Sequence, residues 1–547
     1  MEHLMSVAKT NQERRFELAL AYYTIFAVLF GLVNDMRIFP GLTNVINWIM
    51  IAIGFGLLYC KSSIERDNSS SMWQNIRELS ATRNLQKILL SLFLIVNIIS
   101  ILFNLEYDVW KNLQSISYMF VMFFLFYNPL NTHSNKNYFG KRMFSRLAVG
   151  TVTATFVLTL LSLFMYAFGI AYTVRDTYKI GFDIHSNRLW GVYNPNGGSL
   201  IALISSSFSL YLIHLDCEKY KKLGHRAHVA KDEIAQRNLS DKFKSTFLLT
   251  NIFCQYTYII LAQSRAVITV SYIFIFLVSS GFIFNCQMNK IKNSAGEFEY
   301  PDLKNLNTLK LKNLGIAILA ALTIVSLLFY GNKLYSNMLS KVPSNMAGVR
   351  NHLFSLDEEP EQAKFFLSIE EMGKIGSGRK AESKKINKGS GRLLFWEETL
   401  ELVQDSPVVG LSHDGLIKEI DAKITDKNIR EHFASGEVHS VIFSALGSSG
   451  ILGLLLFVLF LFLQHLDIIQ RFINEFNEKH YLSLEALILY AVLISILLVD
   501  FVESRILYNI NYIAILYWIF AGELNARCKL AYSKELVSES YSEIKLT

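Results

Sequence analysis

The sequence predicts an all-α fold: a polytopic transmembrane bundle of about twelve spans with one large extracytoplasmic loop carrying short helices. Three observations carry this. Of 547 residues 52% are hydrophobic and only 18% charged, too few charges for a soluble chain of this size. The apolar residues arrive in blocks of about 20, enough helix to cross a bilayer core of about 30 Å. Lys and Arg concentrate in every second loop, as the positive-inside rule requires.

The blocks begin near Phe16, Gly41, Leu85, Gln114, Leu147, Gly197, Ser245, Ala266, Asn313, Val438, Leu484 and Ile506. Backbone groups in lipid must bond within their own segment, so each block is expected to be helical. Basic residues mark the N-terminal tail (Lys9, Arg14, Arg15) and the second, fourth, sixth and eighth loops, which include Arg77, Lys136, Arg226 and Lys310. That alternation puts both termini in the cytoplasm and makes the net charge of +7 a topology signal that gives no reason to invoke nucleic acid. The first block is long and lacks a small-residue cleavage site, so it reads as a start-transfer helix. The five cysteines (Cys60, Cys217, Cys254, Cys286, Cys528) fall in spans or on the cytoplasmic side, where no disulfide is expected. No CxxC pair or HExxH spacing suggests a metal.

The chain divides into 1–331 (spans one to nine), 332–437 (the large loop) and 438–547 (the last three spans and a tail). The middle of the loop, Gly373 to Arg392, is charged and rich in Gly and Ser. Beyond it, Leu393, Trp396, Leu400 and Val403 follow helical spacing, stopped by Pro407 and Gly410. An amphipathic helix is expected there, lying on the membrane or capping the bundle.

Outside charges are informative because spans hold few. Arg188 precedes span six, Arg265 sits between two spans joined almost without a loop, Arg392 opens the amphipathic helix, and His439 opens span ten. Guanidinium groups suit bidentate binding of phosphate oxygens, and histidine takes a proton near neutral pH. Together they fit transfer from a diphosphate-linked substrate to an acceptor that must lose a proton. Singly, each has a plainer reading: a snorkelling anchor for an arginine, a solvated side chain for the histidine. Asp500, Glu503 and Arg505 cluster at the turn between the last two spans and read as a local ion-pair set, or as a lining of the acceptor cavity.

From His439 the chain reads His-Ser-x9-Gly-x-x-Gly, through Ser440, Gly450 and Gly453. With Gly447, the glycines fall three apart, a ridge without side chains against which another helix can pack. This stretch resembles the O-antigen ligase and O-antigen polymerase superfamily of membrane glycosyltransferases, whose ligases share that pattern. Arg392, Trp396, Pro407 and Gly410 resemble a second family stretch, which departs at Ser412, where a second Gly is usual and the turn is open to change. Arg188, Gly191, Pro195 and Asn196 resemble a third, and Ser264-Arg265 a weaker fourth.

The resemblance implies a glycan donor on undecaprenyl or another polyprenyl diphosphate, attacked by an acceptor sugar hydroxyl at the outer face of the bacterial cytoplasmic membrane. It implies inversion at the anomeric carbon, with neither cofactor nor metal. His439 would be the general base. Arg188 and Arg265 would hold the diphosphate, and Arg392 would close over it from the loop; Trp396 would pack. A polymerase of O-antigen, capsule or exopolysaccharide repeat units is the first expectation, a ligase to lipid A core the second. The implied partners are an acceptor glycan, the lipid bilayer, a polysaccharide flippase and a chain-length regulator. A transporter would need mid-span ionisable groups or inverted repeats, and neither is evident. A receptor using the long loop would leave the His pattern unexplained.

Overall fold

The computed structural model describes residues 2–36, 40–68, 82–127, 138–174, 178–184, 186–224, 231–295, 303–354, 366–368, 371–372, 375, 392–424, 437–479 and 481–527. Arg77, Lys136, Arg226, Cys528 and most of Gly373–Arg392 lie outside these.

The described residues form a helical membrane bundle. Among the described residues nine helices are long and apolar enough to cross a bilayer. In chain order they belong to α1 (Glu2–Asp35), α2 (Pro40–Asn68), α3 (Thr82–Phe103), α5 (Tyr138–Ala167), α6 (Pro195–Gly224), α7 (Lys231–Ala262), α8 (Arg265–Ala295), α9 (Leu303–Leu339) and α13 (Val441–Asn474). The other three apolar blocks are shorter helices: α4 (Val109–Val121, prolonged by a π turn Met122–Phe126), α14 (Leu484–Asp500) and α15 (512–527). At 1.5 Å per residue α14 spans only about 25 Å. Both α14 and α15 sit inside the bundle, with Tyr512, Tyr517 and Trp518 fully buried, so their neighbours rather than their own length meet the lipid. Phe26, Leu92, Leu160, Leu319 and Leu455 are exposed on the outer helices, as lipid-facing residues must be.

Two features depart from the expected pattern. A three-stranded antiparallel sheet, β1 (Ala171–Val174), β2 (Tyr178–Asp183) and β3 (Arg188–Gly191), follows α5. Its segment was too short to announce itself by period, yet it is what carries Arg188. And α9 runs on to Leu339, past residue 331, into α10 (Val342–Phe354).

Two loop helices cap one end of the bundle: α11 (Arg392–Asp405) and α12 (His413–Lys423). The apolar face of α11 is rotated from the expected one. Phe395, Thr399, Leu402 and Val403 are buried and Trp396 half-buried, whereas Leu393 and Leu400 are about half exposed. The helix packs on α12 and the start of α13, and Leu393 and Leu400 point away from both.

The glycines of α13 do not form one continuous ridge: Gly447 is packed by neighbouring helices, where a Cβ would lie 2.5 Å from Leu416 of α12 and 3.0 Å from Thr399 of α11, but the run stops there. The helix breaks at Gly450 (φ 66°, ψ −171°), a left-handed conformation that a Cβ disfavours. A Cβ at Gly450 would lie 2.3 Å from the backbone of Val408, and one at Gly410 (φ 72°) would lie 2.6 Å from the Gly450 nitrogen. The break frees backbone groups, and the Pro407–Ser412 turn satisfies them. Ile451 N donates to Pro407 O (2.9 Å), Leu411 N to Gly447 O (2.9 Å) and Ser412 N to Ser448 O (3.1 Å). Non-helical backbone at membrane depth is tolerated where protein re-satisfies it, and here the loop does so. A Cβ at Gly453 would run into its own Ser449 and would lie 3.6 Å from Phe93 of α3.

Candidate active site

The break in α13 fixes the start of that helix, and His439 and Ser440 stand immediately before it. His439 itself takes a left-handed φ of 55°, strain of a kind that clusters at functional sites. Its ring stacks on Phe395 of α11 (5.9 Å between centroids), and Trp396 stacks on Phe443 (5.0 Å) while donating from Nε1 to Val438 O (3.2 Å). So α11 holds the histidine from one side. Ser440 is buried and its carbonyl accepts from Ser444 N (2.9 Å).

The group that gathers the site is Glu503, in the turn after α14 and 2% exposed. Arg392 Nη2 reaches its Oε1 at 2.5 Å, and Asn196 Nδ2 donates to the same oxygen at 2.7 Å. His439 Nδ1 lies 3.3 Å from Oε2, and Arg505 Nη2 4.0 Å from it. Asn196 in turn accepts from Arg188 Nη2 (2.9 Å), whose Nε donates to Ala262 O (2.8 Å). Arg188, Asn196, Arg392 and His439, spread over 250 residues of chain, thus share one network. Burial alone would raise the pKa of Glu503, but the hydrogen bond with His439 and the charges of His439, Arg392 and Arg505 outweigh it and hold the carboxyl down to about 2. The carboxylate is therefore ionised at any physiological pH.

Arg265 stands apart. It opens α8, one turn beyond the Ala262 carbonyl that Arg188 binds, after a turn in which Gln263 has a φ of 50° and Ser264 is buried. Its side chain is exposed. Among the described residues no ion pair engages its guanidinium.

Sequence reasoning grouped Glu503 with Asp500 and Arg505 as a local set, and so missed its reach across the bundle. A signal was present: an acid beside the end of an apolar span must find charged partners. Asp500 does act locally, accepting from Arg505 N (2.6 Å) and Ile506 N (3.3 Å). Arg505 lies 3.9 Å from both Glu437 and Asp35, and these carboxylates outweigh the effect of burial and raise its pKa.

Glu437, His439 and Glu503 bring ligand atoms within 4.8 Å of one another. A dication fits them poorly, because Arg392 and Arg505 already compensate Glu503 and would repel it.

A helical membrane bundle with guanidinium groups and a histidine gathered around a buried carboxylate at one end defines a class: a polytopic membrane protein with a buried, charged network at one end of its helices. The O-antigen ligase family model matches residues 250–458, which supports the resemblance to the O-antigen ligase/polymerase superfamily. The matched stretch includes Arg265, Arg392, His439 and the glycine break. No curated protein matches the chain.

Proposed function

We propose that the protein transfers a glycan from a polyprenyl diphosphate, undecaprenyl in bacteria, to an acceptor sugar hydroxyl at the outer face of the cytoplasmic membrane. The observation that carries this is Glu503 joined at once to His439, Arg392 and, through Asn196, Arg188. With Nδ1 turned to Glu503, His439 has Nε2 available as the base. It takes the proton from the acceptor hydroxyl as that oxygen bonds to the anomeric carbon. The bond from that carbon to the diphosphate oxygen breaks, and the diphosphate leaves with the electron pair, inverting the centre. Glu503 stabilises the imidazolium that forms, as a positioning residue. Arg392 commits Nη2 to Glu503 and keeps the rest of its fork for phosphate oxygens; Arg188 and the exposed Arg265 complete the anion site. The guanidinium groups supply the charge stabilisation a metal would otherwise give.

The acceptor we favour is a second lipid-linked repeat unit, which makes the enzyme a polymerase. The ligase description of the matching family favours attachment to lipid A core as the second reading.

The test is glycan synthesis in a host lacking its own copy, with membrane insertion of each variant verified. His439→Ala and Arg265→Ala should each lower transfer by on the order of 10²-fold or more, with lipid-linked units accumulating. Wild-type glycan from both would sink the assignment. A ladder of lengths on the polyprenyl lipid identifies a polymerase, and one glycan moved to lipid A core a ligase.

A further inference from the structure

Beyond Arg505, away from Arg392, lies a cavity of about 330 Å³. The ends of α1, α2 and α4, the start of α12 and the turn after Arg505 enclose it. Its walls include Asp35, Asn47, Gln114, Ser115, Asp414 and Arg505. Glu437, two residues before His439, also lines it, so the wall it shares with the Glu503 network is the Glu437–Arg505 pair.

Its chemistry is unlike that of the arginine cluster. Lys111 and Arg505 face three carboxylates, Asp35, Asp414 and Glu437, and Lys418 pairs with Asp414 at 2.8 Å, so a diphosphate would find no surplus of positive charge. Burial would raise the pKa of Asp414, but the bonds from Lys418 and the Asp108 N–H, with the charge of Lys111, hold it below the usual carboxylate range; it stays an acceptor. Amide side chains supply paired donors and acceptors, and Ile417 and Ile510 are the only aliphatic residues in the wall. Asn47 Oδ1 is buried with no donor among the described residues, an acceptor awaiting a hydroxyl. The ring of His413, stacked on Tyr508 at 4.5 Å and 7°, adds a flat aromatic wall.

We infer that this cavity is the subsite for the acceptor: a neutral, hydroxyl-rich sugar residue held by carboxylates and amides, with its nucleophilic hydroxyl presented past Glu437 toward His439. The inference rests on the glycosyl-transfer reading and adds a separate seat for the acceptor. Volume and polarity agree with it, since ligand sites run from about 300 Å³ upward and fix orientation with a few polar groups.

The test blocks the cavity after folding. Ser115 is partly exposed in its wall and belongs to no ion pair of the Glu503 network. The full chain carrying Ser115→Cys is reconstituted in nanodiscs and treated with S-benzyl methanethiosulfonate, with labelling verified by intact mass. The unsubstituted protein, which has five cysteines of its own, is treated in parallel. Transfer is measured with lipid-linked repeat units extracted from a deletion host, and donor-side binding with undecaprenyl diphosphate. Labelling should cut transfer about tenfold or more and leave undecaprenyl diphosphate binding within about twofold, with activity restored by dithiothreitol. Full transfer by the labelled protein overturns the inference. So does a parallel loss of undecaprenyl diphosphate binding, which would assign the cavity to the donor. If His439→Ala is fully active the transfer reading itself fails and this goes with it; if His439→Ala is dead while the labelled protein works, only the acceptor seat is lost.

Discussion

The two sides of Arg505 handle charge in opposite ways. Toward Glu503, three guanidinium groups (Arg188, Arg392 and Arg505 itself) are drawn to one buried carboxylate, directly or through Asn196. Toward the cavity, three carboxylates and several amides line the wall with Lys111 and Arg505. Both regions are polar and lie at the same end of the bundle. In the proposed reading one takes an anion and the other hydroxyl groups, so that the Glu437–Arg505 pair would divide the site into two recognition chemistries.

The strongest way to break that partition is to remove its hub. Glu503→Ala leaves Arg392 and Arg505 without their shared acceptor and His439 without its orienting carboxylate. Transfer should fall by on the order of 10²-fold or more, and stability by about 3–5 kcal/mol, as for a broken buried ion pair. Glu503→Gln keeps the shape and should retain more of the stability than of the activity. Transfer rates and thermal unfolding in detergent read both effects; equal activity in both variants and the native protein would remove Glu503 from the mechanism.

Acid should separate the two regions by pH. Burial holds His413 neutral, lowering its pKa to about 4 against the slight opposing pull of Asp414. An unfolded histidine titrates near 6.5, so the unfolded chain binds more protons between these values. Stability from the cavity side is therefore lost as pH falls from about 6.5 to about 4. Glu503, at about 2 folded against 4.5, contributes stability above pH 4.5 that is lost as pH falls toward 2. His413→Leu should flatten only the upper part of a plot of melting temperature against pH. A profile unchanged by that substitution would show that His413 is not the group responsible.

The smallest effect concerns Ser412, which adopts a φ of 62° that glycine takes more readily. Ser412→Gly relieves strain of on the order of 1 kcal/mol and gives up the Asn112 hydrogen bond to Ser412 Oγ (3.1 Å), of similar size. Melting temperature and transfer should both stay close to the native values. A tenfold drop in transfer would show that the hydroxyl serves the cavity as well as the turn.

Much of this was legible in the residues. Apolar blocks and alternating basic loops determine a helical bundle because lipid admits little else. The resemblance through His439, Gly450 and Gly453 pointed to the end of the bundle where the Glu503 network lies. At Ser412, where the resemblance departs from the family pattern, the backbone is left-handed, with a φ of 62°. What remained hidden was mostly tertiary. The three glycines read as a packing ridge because spacing cannot distinguish a straight helix from one broken by a positive φ. The buried face of α11 was misassigned because its partners, α12 and α13, are set by contacts no local period reports. Glu503 lay in plain view, but three of its partners, His439, Arg392 and Asn196, lie 64 to 307 residues away in the chain.

The stitched break at Gly450 has a further consequence. Because the Pro407–Ser412 turn completes the hydrogen bonding of a membrane helix, the last part of the large loop is integral to the bundle's architecture rather than an appendage. A substitution that weakens the Pro407–Ser412 turn therefore disturbs the helix that follows His439 as well as the loop itself.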